Sequence, residues 1–207
     1  MILPAGFRGA AFGTAADGNG RDDPASRASI SDRLGICDEW AYLGQVHGAA
    51  VIRAEAPGRL GEADAMFTTV PGLPMAVATA DCYPVVLEAR SAAGIAHAGW
   101  RGVDAGVVPA LRAAMAEAGH PPVRAAVGPG IGACCFEVGP EVLTRFPGQG
   151  STTGWGTAGV DLPAALDEQL EGLEVWRARE CTHTLDAYHS YRRDGTERRQ
   201  VGIAWVA

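Results

Sequence analysis

The chain has 207 residues, a formal net charge of −7 at pH 7 and a pI near 5.2. An acidic composition argues against a nucleic-acid-binding protein, because such proteins need a basic surface that attracts phosphates. Hydrophobic residues make up 47% of the sequence, which predicts a globular protein with a substantial core. We interpret residues 1–207 as a single domain.

Targeting signals and disulfide patterns are also missing from the sequence. No apolar run approaches the roughly 20 residues that a membrane span needs, and the first eight residues lack the charged start and long apolar stretch of a signal peptide. The five cysteines are an odd number, and two of them are adjacent, so they do not form a disulfide framework. We therefore predict a cytoplasmic protein with reduced thiols and no membrane association. Nothing in the sequence predicts an oligomeric state.

Hydrophobic patterning predicts a mixture of strands and helices. The first 31 residues, rich in Gly, Ala and Asp, predict loops and strand fragments, with a short helix over 26–34. Short apolar runs bounded by Gly or Pro predict buried strands at 50–54, Met75–Thr79, 85–89, 94–97 and 125–128. Helical spacing follows at 104–119, 140–146 and 162–173, and closing strands at 174–181 and 200–206. The irregular alternation predicts an α+β fold with mixed β-sheets flanked by helices.

Three side chains that suit zinc or copper lie where predicted strands should end. They are His47 in Gln-Val-His-Gly, Cys82 in Thr-Ala-Asp-Cys, and His97 in Ala-His-Ala-Gly-Trp-Arg-Gly. A thiolate and two neutral imidazoles suit a borderline-soft divalent ion, and three protein ligands leave one tetrahedral position for water or substrate. That arrangement is typical of a catalytic metal site. Because no compact pair of ligands is present, the fold has to bring the three residues together.

Two carboxylates accompany these residues, and each has an alternative interpretation. Asp81 precedes Cys82, so in an extended segment its side chain points to the opposite face. It is a candidate to orient a metal ligand or to cap a turn. Asp64, in Asp-Ala-Met-Phe-Thr, is the second candidate for acid–base chemistry, with a structural role as the alternative. Cys82 itself is a metal ligand, a nucleophile activated by a histidine, or an inert buried thiol.

Anion binding is the other chemistry that the sequence suggests. Arg101 lies just before a predicted helix, where a planar guanidinium can hold phosphate or carboxylate, and a surface salt bridge is the alternative. The glycine-rich segment 128–132 predicts either a backbone anion nest or a tight turn. The densest basic cluster is either an anion site or a solvated turn, and it consists of Arg192, Arg193, Arg198 and Arg199.

The remaining cysteines and histidines are assigned less specific roles. Cys134 and Cys135 are interpreted as packing residues, because adjacent side chains diverge in an extended chain. His189 is a candidate for lining the pocket. His120 and His183 are interpreted as loop or surface residues.

Five motifs occur in the order seen in one protein family: Gln-Val-His-Gly at 45–48, Asp-Ala-Met-Phe-Thr at 64–68, Thr-Ala-Asp-Cys-Tyr-Pro-Val at 79–85, Ala-His-Ala-Gly-Trp-Arg-Gly at 96–102 and Gly-Pro-Gly-Ile-Gly-Ala-Cys-Cys-Phe-Glu-Val-Gly at 128–139. On these motifs the chain resembles the laccase-domain family from about Gln45 onward. This family is also labelled polyphenol oxidase, peptidoglycan editing factor or purine nucleoside phosphorylase. The N-terminal stretch does not match the family pattern, whereas Tyr-His-Ser-Tyr-Arg-Arg-Asp-Gly at 188–195 is similar to its arginine-rich closing segment.

The resemblance implies a fold, a metal and a reaction. The implied fold is a four-layer αββα sandwich, and the implied metal is zinc, with copper less favoured, on His47, Cys82 and His97. The implied activity is phosphorolysis of adenosine, inosine or methylthioadenosine, with adenosine deamination as a second reaction. Its small-molecule partners are then a purine nucleoside and phosphate. Arg101 is then the candidate to hold phosphate, and Asp81 or Asp64 the proton shuttle.

Three other functions remain open from the sequence. A copper oxidase of phenols fits the family's older label, but multicopper chemistry needs many more histidines than the five present. A hydrolase that edits peptidoglycan precursors by removing a misincorporated amino acid needs only a metal-activated water or a Cys82 nucleophile. A metal-stabilised binding protein is the non-enzymatic alternative.

Overall fold

The computed structural model describes residues 1–207 and contains two β-sheets that pack face to face. The five-stranded sheet has the order β1-β13-β6-β2-β4, and the six-stranded sheet has the order β12-β9-β7-β8-β5-β3. The first sheet comprises β1 (Ala10–Phe12), β2 (Ala41–Gly44), β4 (Gly58–Glu62), β6 (Met75–Thr79) and β13 (Gln200–Ala204). The second comprises β3 (Val51–Arg53), β5 (Ala65–Thr68), β7 (Tyr83–Ala89), β8 (Ala92–Ala98), β9 (Arg124–Val127) and β12 (Glu174–Arg177). A separate hairpin pairs β10 (Gly150–Thr152) with β11 (Ala158–Val160).

Both sheets are mixed, as the sequence predicts. In the five-stranded sheet β13 pairs antiparallel with β1 and β6, whereas β2 is parallel to β6 and β4. In the six-stranded sheet β7, β8, β9 and β5 pair antiparallel, and the edge strands β12 and β3 are parallel to their neighbours. The α+β fold class is therefore confirmed.

Helices cover the outer face of each sheet. The helices are α1 (Pro24–Leu34), α2 (Trp100–Asp104), α3 (Val107–Glu117), α4 (Pro140–Leu143), α5 (Leu162–Gln169) and α6 (Tyr191–Asp194). Ile30 of α1 packs with Trp40 and Val201 on the five-stranded sheet, whereas Leu111 of α3 and Leu166 of α5 belong to the apolar cluster on the six-stranded sheet. A third cluster fills the space between the sheets and includes Phe12, Met75, Val77, Val86 and Ile95. The layers follow the order αββα, which confirms the expected sandwich.

The core helices and strands lie close to where the sequence predicts them, with differences at their ends. The helix predicted over 104–119 is interrupted, because Gly106 has a φ of 78° and separates α2 from α3. The strand predicted over 174–181 ends at Arg177, and the helix predicted over 140–146 ends at Leu143. The strands β2, β4, β5, β10 and β11 were not predicted. None of the helices combines the length and the apolar character required to cross a bilayer.

One connection between the sheets determines where the candidate site lies. Strand β6 belongs to one sheet and β7 to the other, so residues 80–82 carry the chain across the gap between them. Asp81 makes this crossing with a φ of 88°, in the left-handed region that few non-glycine residues adopt. The sheets approach closely beside it, since a Cβ on Gly202 would lie only 2.5 Å from the Cβ of Pro84.

Candidate active site

The structure brings together the three proposed metal ligands from distant parts of the chain. His47 lies in the loop after β2, Cys82 in the crossing from β6 to β7, and His97 in β8. Their donor atoms all lie within 4.8 Å of one another, and His47 Nε2 is 4.0 Å from Cys82 Sγ. The two imidazole rings meet edge to face with centroids 4.8 Å apart. This donor set fits a borderline-soft divalent ion such as zinc.

The Asp64 carboxylate hydrogen-bonds to His97 and to the loop that carries His47. His97 Nδ1 donates to Asp64 Oδ1 at 2.8 Å, so Nε2 is the ring nitrogen left for the pocket. The second carboxylate oxygen accepts the backbone N–H groups of Gly48 at 2.6 Å and Val46 at 3.1 Å. Burial raises the pKa of Asp64, but these hydrogen bonds and the nearby imidazole outweigh it and hold the pKa below its usual range. One carboxylate therefore orients His97 and shapes the loop that carries His47.

A second contact ties the His47 loop to the five-stranded sheet. The Gln45 amide donates to the carbonyl oxygen of Ala78 and accepts the Ala78 N–H, both at 2.8 Å. His47 itself has a φ of 60°, which turns its backbone sharply in this loop. The imidazole position is thus determined by two neighbouring side chains, Gln45 and Asp64.

Cys82 and His97 form a charge pair. Burial raises the pKa of Cys82, yet the positive charge of His97 and hydrogen bonds from both histidines lower it to about 6. Burial lowers the pKa of His97, yet the Cys82 thiolate and Asp64 raise it to about 9. The thiolate is therefore the dominant form at neutral pH, as both a metal ligand and a nucleophile require.

Gly99 leaves room for this cluster. A Cβ at position 99 would lie 2.8 Å from Cys82 Sγ and 3.0 Å from His47 Cδ2. Contacts this short would displace the thiol or the imidazole. Gly99, the first of the two glycines in the Ala-His-Ala-Gly-Trp-Arg-Gly motif, is therefore required by the geometry of the site.

A cavity of about 520 Å³ opens beside the donor set. This volume falls within the range of small-molecule sites, about 300–1,000 Å³. Part of its wall is apolar or aromatic, from Ile131, Phe136 and Tyr191. The basic residues of its wall are Arg21, Arg101, Arg192 and Arg199.

The four arginines differ in how many of their N–H groups already donate hydrogen bonds within the protein. Arg21 donates to Asp22 and Gln45, Arg192 to the carbonyl oxygen of Glu137, and Arg199 to two carbonyl oxygens in its own turn. Arg101 is exposed, its guanidinium carbon lies 4.3 Å from the centroid of the Trp100 ring, and its side chain makes no hydrogen bond or ion pair with the protein. Its donors are therefore free for an anionic ligand.

Asp81 does not face away from Cys82 as an extended segment would require. With a φ of 88° the backbone turns, and both side chains line the cavity. The Asp81 carboxylate accepts Thr182 Oγ1 and the backbone N–H of Arg192, both at 2.7 Å. Asp81 reaches the cavity while holding two segments from the last part of the chain, whereas Asp64, fully buried, does not line the cavity.

Several other residues lie differently from expectation. Cys134 and Cys135 were interpreted as packing residues whose side chains diverge, but they lie in a turn and their sulfur atoms are 3.2 Å apart, so the expected divergence was wrong. Cys135 does pack in the apolar cluster on the six-stranded sheet, whereas Cys134 is exposed. His189 and Arg193 do not line the cavity. Arg193 donates instead to backbone carbonyls including those of Thr182 and Tyr188.

Sequence reasoning did not assign a role to several residues of the site. Gln45, Gly99, Trp100 and Phe136 all lie inside motifs that were recognised, so the motifs contained the signal. Arg21 comes from the poorly patterned N-terminal stretch, where no sequence signal marks it.

The fold and the site define a class of protein: an αββα sandwich with a candidate mononuclear metal centre in an arginine-lined pocket. The chain belongs to the family described as multi-copper polyphenol oxidoreductase laccase, whose model matches residues 9–207. A purine nucleoside phosphorylase of Streptomyces coelicolor is 40% identical over 204 residues, covering 89% of this chain and 84% of that protein. A purine nucleoside phosphorylase of Deinococcus radiodurans is 39% identical over 202 residues, covering 89% and 78%.

Solved structures show the same architecture. YfiH of Bacillus licheniformis superposes with a TM-score of 0.85 at 22% identity, covering 96% of this chain and 92% of that one. A Neisseria meningitidis protein superposes with a TM-score of 0.74 at 34% identity, covering 88% and 80%. These similarities confirm the fold and the family resemblance.

Proposed function

We propose that this protein is a zinc-dependent purine nucleoside phosphorylase acting on adenosine, inosine or methylthioadenosine. The observation that carries the proposal is the unpartnered guanidinium of Arg101 in the same pocket as His47, Cys82 and His97. A phosphorylase needs an anion site beside the glycosidic bond, and Arg101 offers one. The names of the relatives from Streptomyces coelicolor and Deinococcus radiodurans support the same activity.

The donor set fits zinc, and His47, Cys82 and His97 would hold it. When bound, zinc would supply a Lewis acid that stabilises developing negative charge on a substrate oxygen. Asp64 would keep His97 in the tautomer that presents Nε2 and would hold the His47 loop in place. Only two of the five histidines converge here, so the geometry favours this proposal over a multicopper oxidase.

In phosphorolysis the chain's own residues would bind and orient the two reactants. A phosphate oxygen attacks C1′ of the ribose, the bond from C1′ to N9 breaks, and the purine leaves with the electron pair and takes up a proton. Arg101 would hold the phosphate through paired N–H donors, and Arg192 and Arg199 would add positive potential. Phe136 and Tyr191 offer aromatic surface for the purine.

Adenosine deamination is the second activity that we propose. In this reaction water adds at C6 of the purine, the bond from C6 to the exocyclic nitrogen breaks and ammonia leaves, so the site needs a group that moves a proton at the base. Of the two carboxylates, Asp81 is the one that lines the cavity, so we assign the proton transfer to Asp81 and a positioning role to Asp64.

One observation also favours a second candidate function. The charge pair of Cys82 and His97 is the arrangement of a cysteine nucleophile and its base. A hydrolase that removes a misincorporated amino acid from a peptidoglycan precursor could use this pair. Release of free serine from a UDP-linked muramoyl-serine precursor would distinguish this candidate from the phosphorylase.

The first test is to purify the protein without chelator, measure bound metal by elemental analysis, and incubate it with adenosine with and without phosphate. Bound zinc, with adenine produced only when phosphate is present, is the expected result. We expect Arg101→Ala to retain zinc and to raise the KM for phosphate by about 10-fold or more, since a charge-assisted pair contributes roughly 1.5–3 kcal/mol. Arg198→Ala, outside the cavity, is the matched control. Adenine release that does not depend on phosphate would contradict the proposal.

A further inference from the structure

Three cysteines converge on the other side of the loop that carries Ile131. Cys134 and Cys135 lie in the turn after Gly132, and Cys181 follows β12. All three sulfur atoms lie within 4.8 Å of one another, and those of Cys134 and Cys135 are 3.2 Å apart. The cluster contains neither of the histidines nor the cysteine of the candidate active site.

Backbone hydrogen bonds hold the cluster in place. The Gly132 N–H donates to Cys181 Sγ at 3.2 Å, and the Cys135 N–H donates to the Gly132 carbonyl oxygen at 3.0 Å. Cys181 forms a β-bridge with Gly130, and the Thr182 N–H donates to the Gly130 carbonyl oxygen at 3.0 Å. The thiols therefore converge because the backbone at Gly130 is paired with the backbone at Cys181 and Thr182.

We propose that Cys134, Cys135 and Cys181 form a second metal site, which binds one Cu(I) ion. Sulfur-only ligands select soft cations such as Cu(I) over magnesium, calcium or manganese. Structural zinc almost always takes four protein ligands, whereas the cluster supplies three and has no histidine or carboxylate as a fourth. Three thiolates match the trigonal coordination that Cu(I) accepts.

The spacing of the sulfur atoms suits such an ion. Metal–sulfur bonds of about 2.3 Å place neighbouring sulfur ligands roughly 3.8–4.0 Å apart. The sulfur separations here run from 3.2 Å to at most 4.8 Å. Side-chain rotations that move the sulfur atoms by less than about 1 Å would complete the site.

A metal ion at this position would join two segments that support the wall of the active-site cavity. Ile131 and Phe136, on either side of the turn, line the pocket, and Thr182 donates to Asp81. Cu(I) binding is thus expected to stabilise the pocket wall as well as the turn.

The test uses a background variant, His47→Ala with Cys82→Ser, so that the first donor set does not compete. The reduced protein is titrated with Cu(I) under anaerobic conditions against the chromogenic chelator bicinchoninate, with folding checked by circular dichroism. We expect one tightly held equivalent and a rise in Tm. Adding Cys181→Ser or Cys134→Ser should lower the affinity by more than about 100-fold, since losing even a hydrogen-bonding partner of a ligand costs about 10–100-fold.

Cys37→Ser is the matched control, because Cys37 is an exposed thiol outside the cluster. Equal loss of Cu(I) in the Cys37 variant would overturn the proposal. So would a background variant that binds no Cu(I) when reduced but forms a Cys134–Cys181 disulfide when peroxide is added, which would identify a redox pair instead.

Discussion

At the scale of single residues, the surroundings of Cys82 predict that its thiol is ionised at neutral pH. In the metal-free protein we expect alkylation of Cys82 by iodoacetamide to accelerate as the pH rises through about 6 and to level off above about 7, because the thiolate is the reacting form and its pKa is about 6. The rate is followed by mass spectrometry of the peptide that contains Cys82.

The His97→Gln variant tests the cause of this shift. Removing the imidazolium takes away the charge that favours the thiolate, so the inflexion should move to higher pH. A wild-type rate that still rises steeply between about pH 7 and 9, where an ordinary thiol with a pKa of about 8.5 titrates, would contradict the charge pair.

The carboxylate of Asp64 should matter for metal affinity although it does not line the cavity. In Asp64→Asn the neutral amide cannot accept hydrogen bonds from His97, Gly48 and Val46 together. We expect zinc affinity to fall by about 10–100-fold, as is usual when the hydrogen-bonding partner of a metal ligand is lost. Competition with a chromogenic chelator measures this affinity. Asp167→Asn, whose carboxylate pairs with Arg177 and contacts none of the three ligands, should leave the affinity unchanged. An unaltered affinity in Asp64→Asn would show that Asp64 does not support metal binding.

At the scale of structural elements, Asp81 ties both Thr182 and the first turn of α6 to the crossing between the sheets. In Asp81→Ala, Thr182 Oγ1 and the Arg192 N–H both lose a charged acceptor, and Asp81 is only 8% exposed. We expect the free energy of unfolding to fall by about 2–3 kcal/mol, since hydrogen bonds to charged groups contribute roughly 1.5–3 kcal/mol. Denaturant unfolding measures the loss. Asp186→Ala, on a fully exposed side chain, is the control, and equal effects of the two variants would refute the fastening role.

The elements also show which parts of the fold the sequence predicts. Buried strands such as β6 and β7 are recognisable because each is an apolar run with a clear boundary. Strand β4 is not, because Gly58–Glu62 contains two glycines and two charged residues and becomes a strand only through pairing with β2. Likewise, the break between α2 and α3 depends on the left-handed backbone at Gly106, which a helical pattern of apolar residues conceals.

For the candidate site, the sequence predicts the metal ligands but not the contacts that support them. The resemblance points to His47, Cys82 and His97, and the structure brings them together, but spacing along the chain cannot give their distances. The roles of Asp64 and Gln45 depend on contacts with residues more than 30 positions away. The convergence of Cys134, Cys135 and Cys181 was missed because an extended chain was assumed where the backbone turns.

At the scale of the whole molecule, stability depends on how closely the two sheets approach at Gly202. A Cβ there would lie 2.5 Å from the rigid ring of Pro84, so Gly202→Val should force the sheets apart. We expect a loss of about 1–3 kcal/mol or more in the free energy of unfolding, as overpacked cores show. Thermal and denaturant unfolding measure it. Gly150→Val, where no atom lies within 4 Å of the added Cβ, should cost much less, and equal costs would show that the contact is relieved without strain.

The hydrogen bond between Asp81 and the backbone of Arg192 spans 111 positions of the sequence. Arg21, Arg101 and Arg199 meet around the same cavity, so its wall combines early, middle and late parts of the chain. During synthesis on the ribosome, the wall of this cavity cannot be complete until the late residues have been made. Contacts of such long range also slow folding, because the intervening chain has to be ordered first. Newly made molecules should therefore complete the cavity only once the C-terminal residues are available, and the same residues include β13, which joins β1 to β6 in the five-stranded sheet.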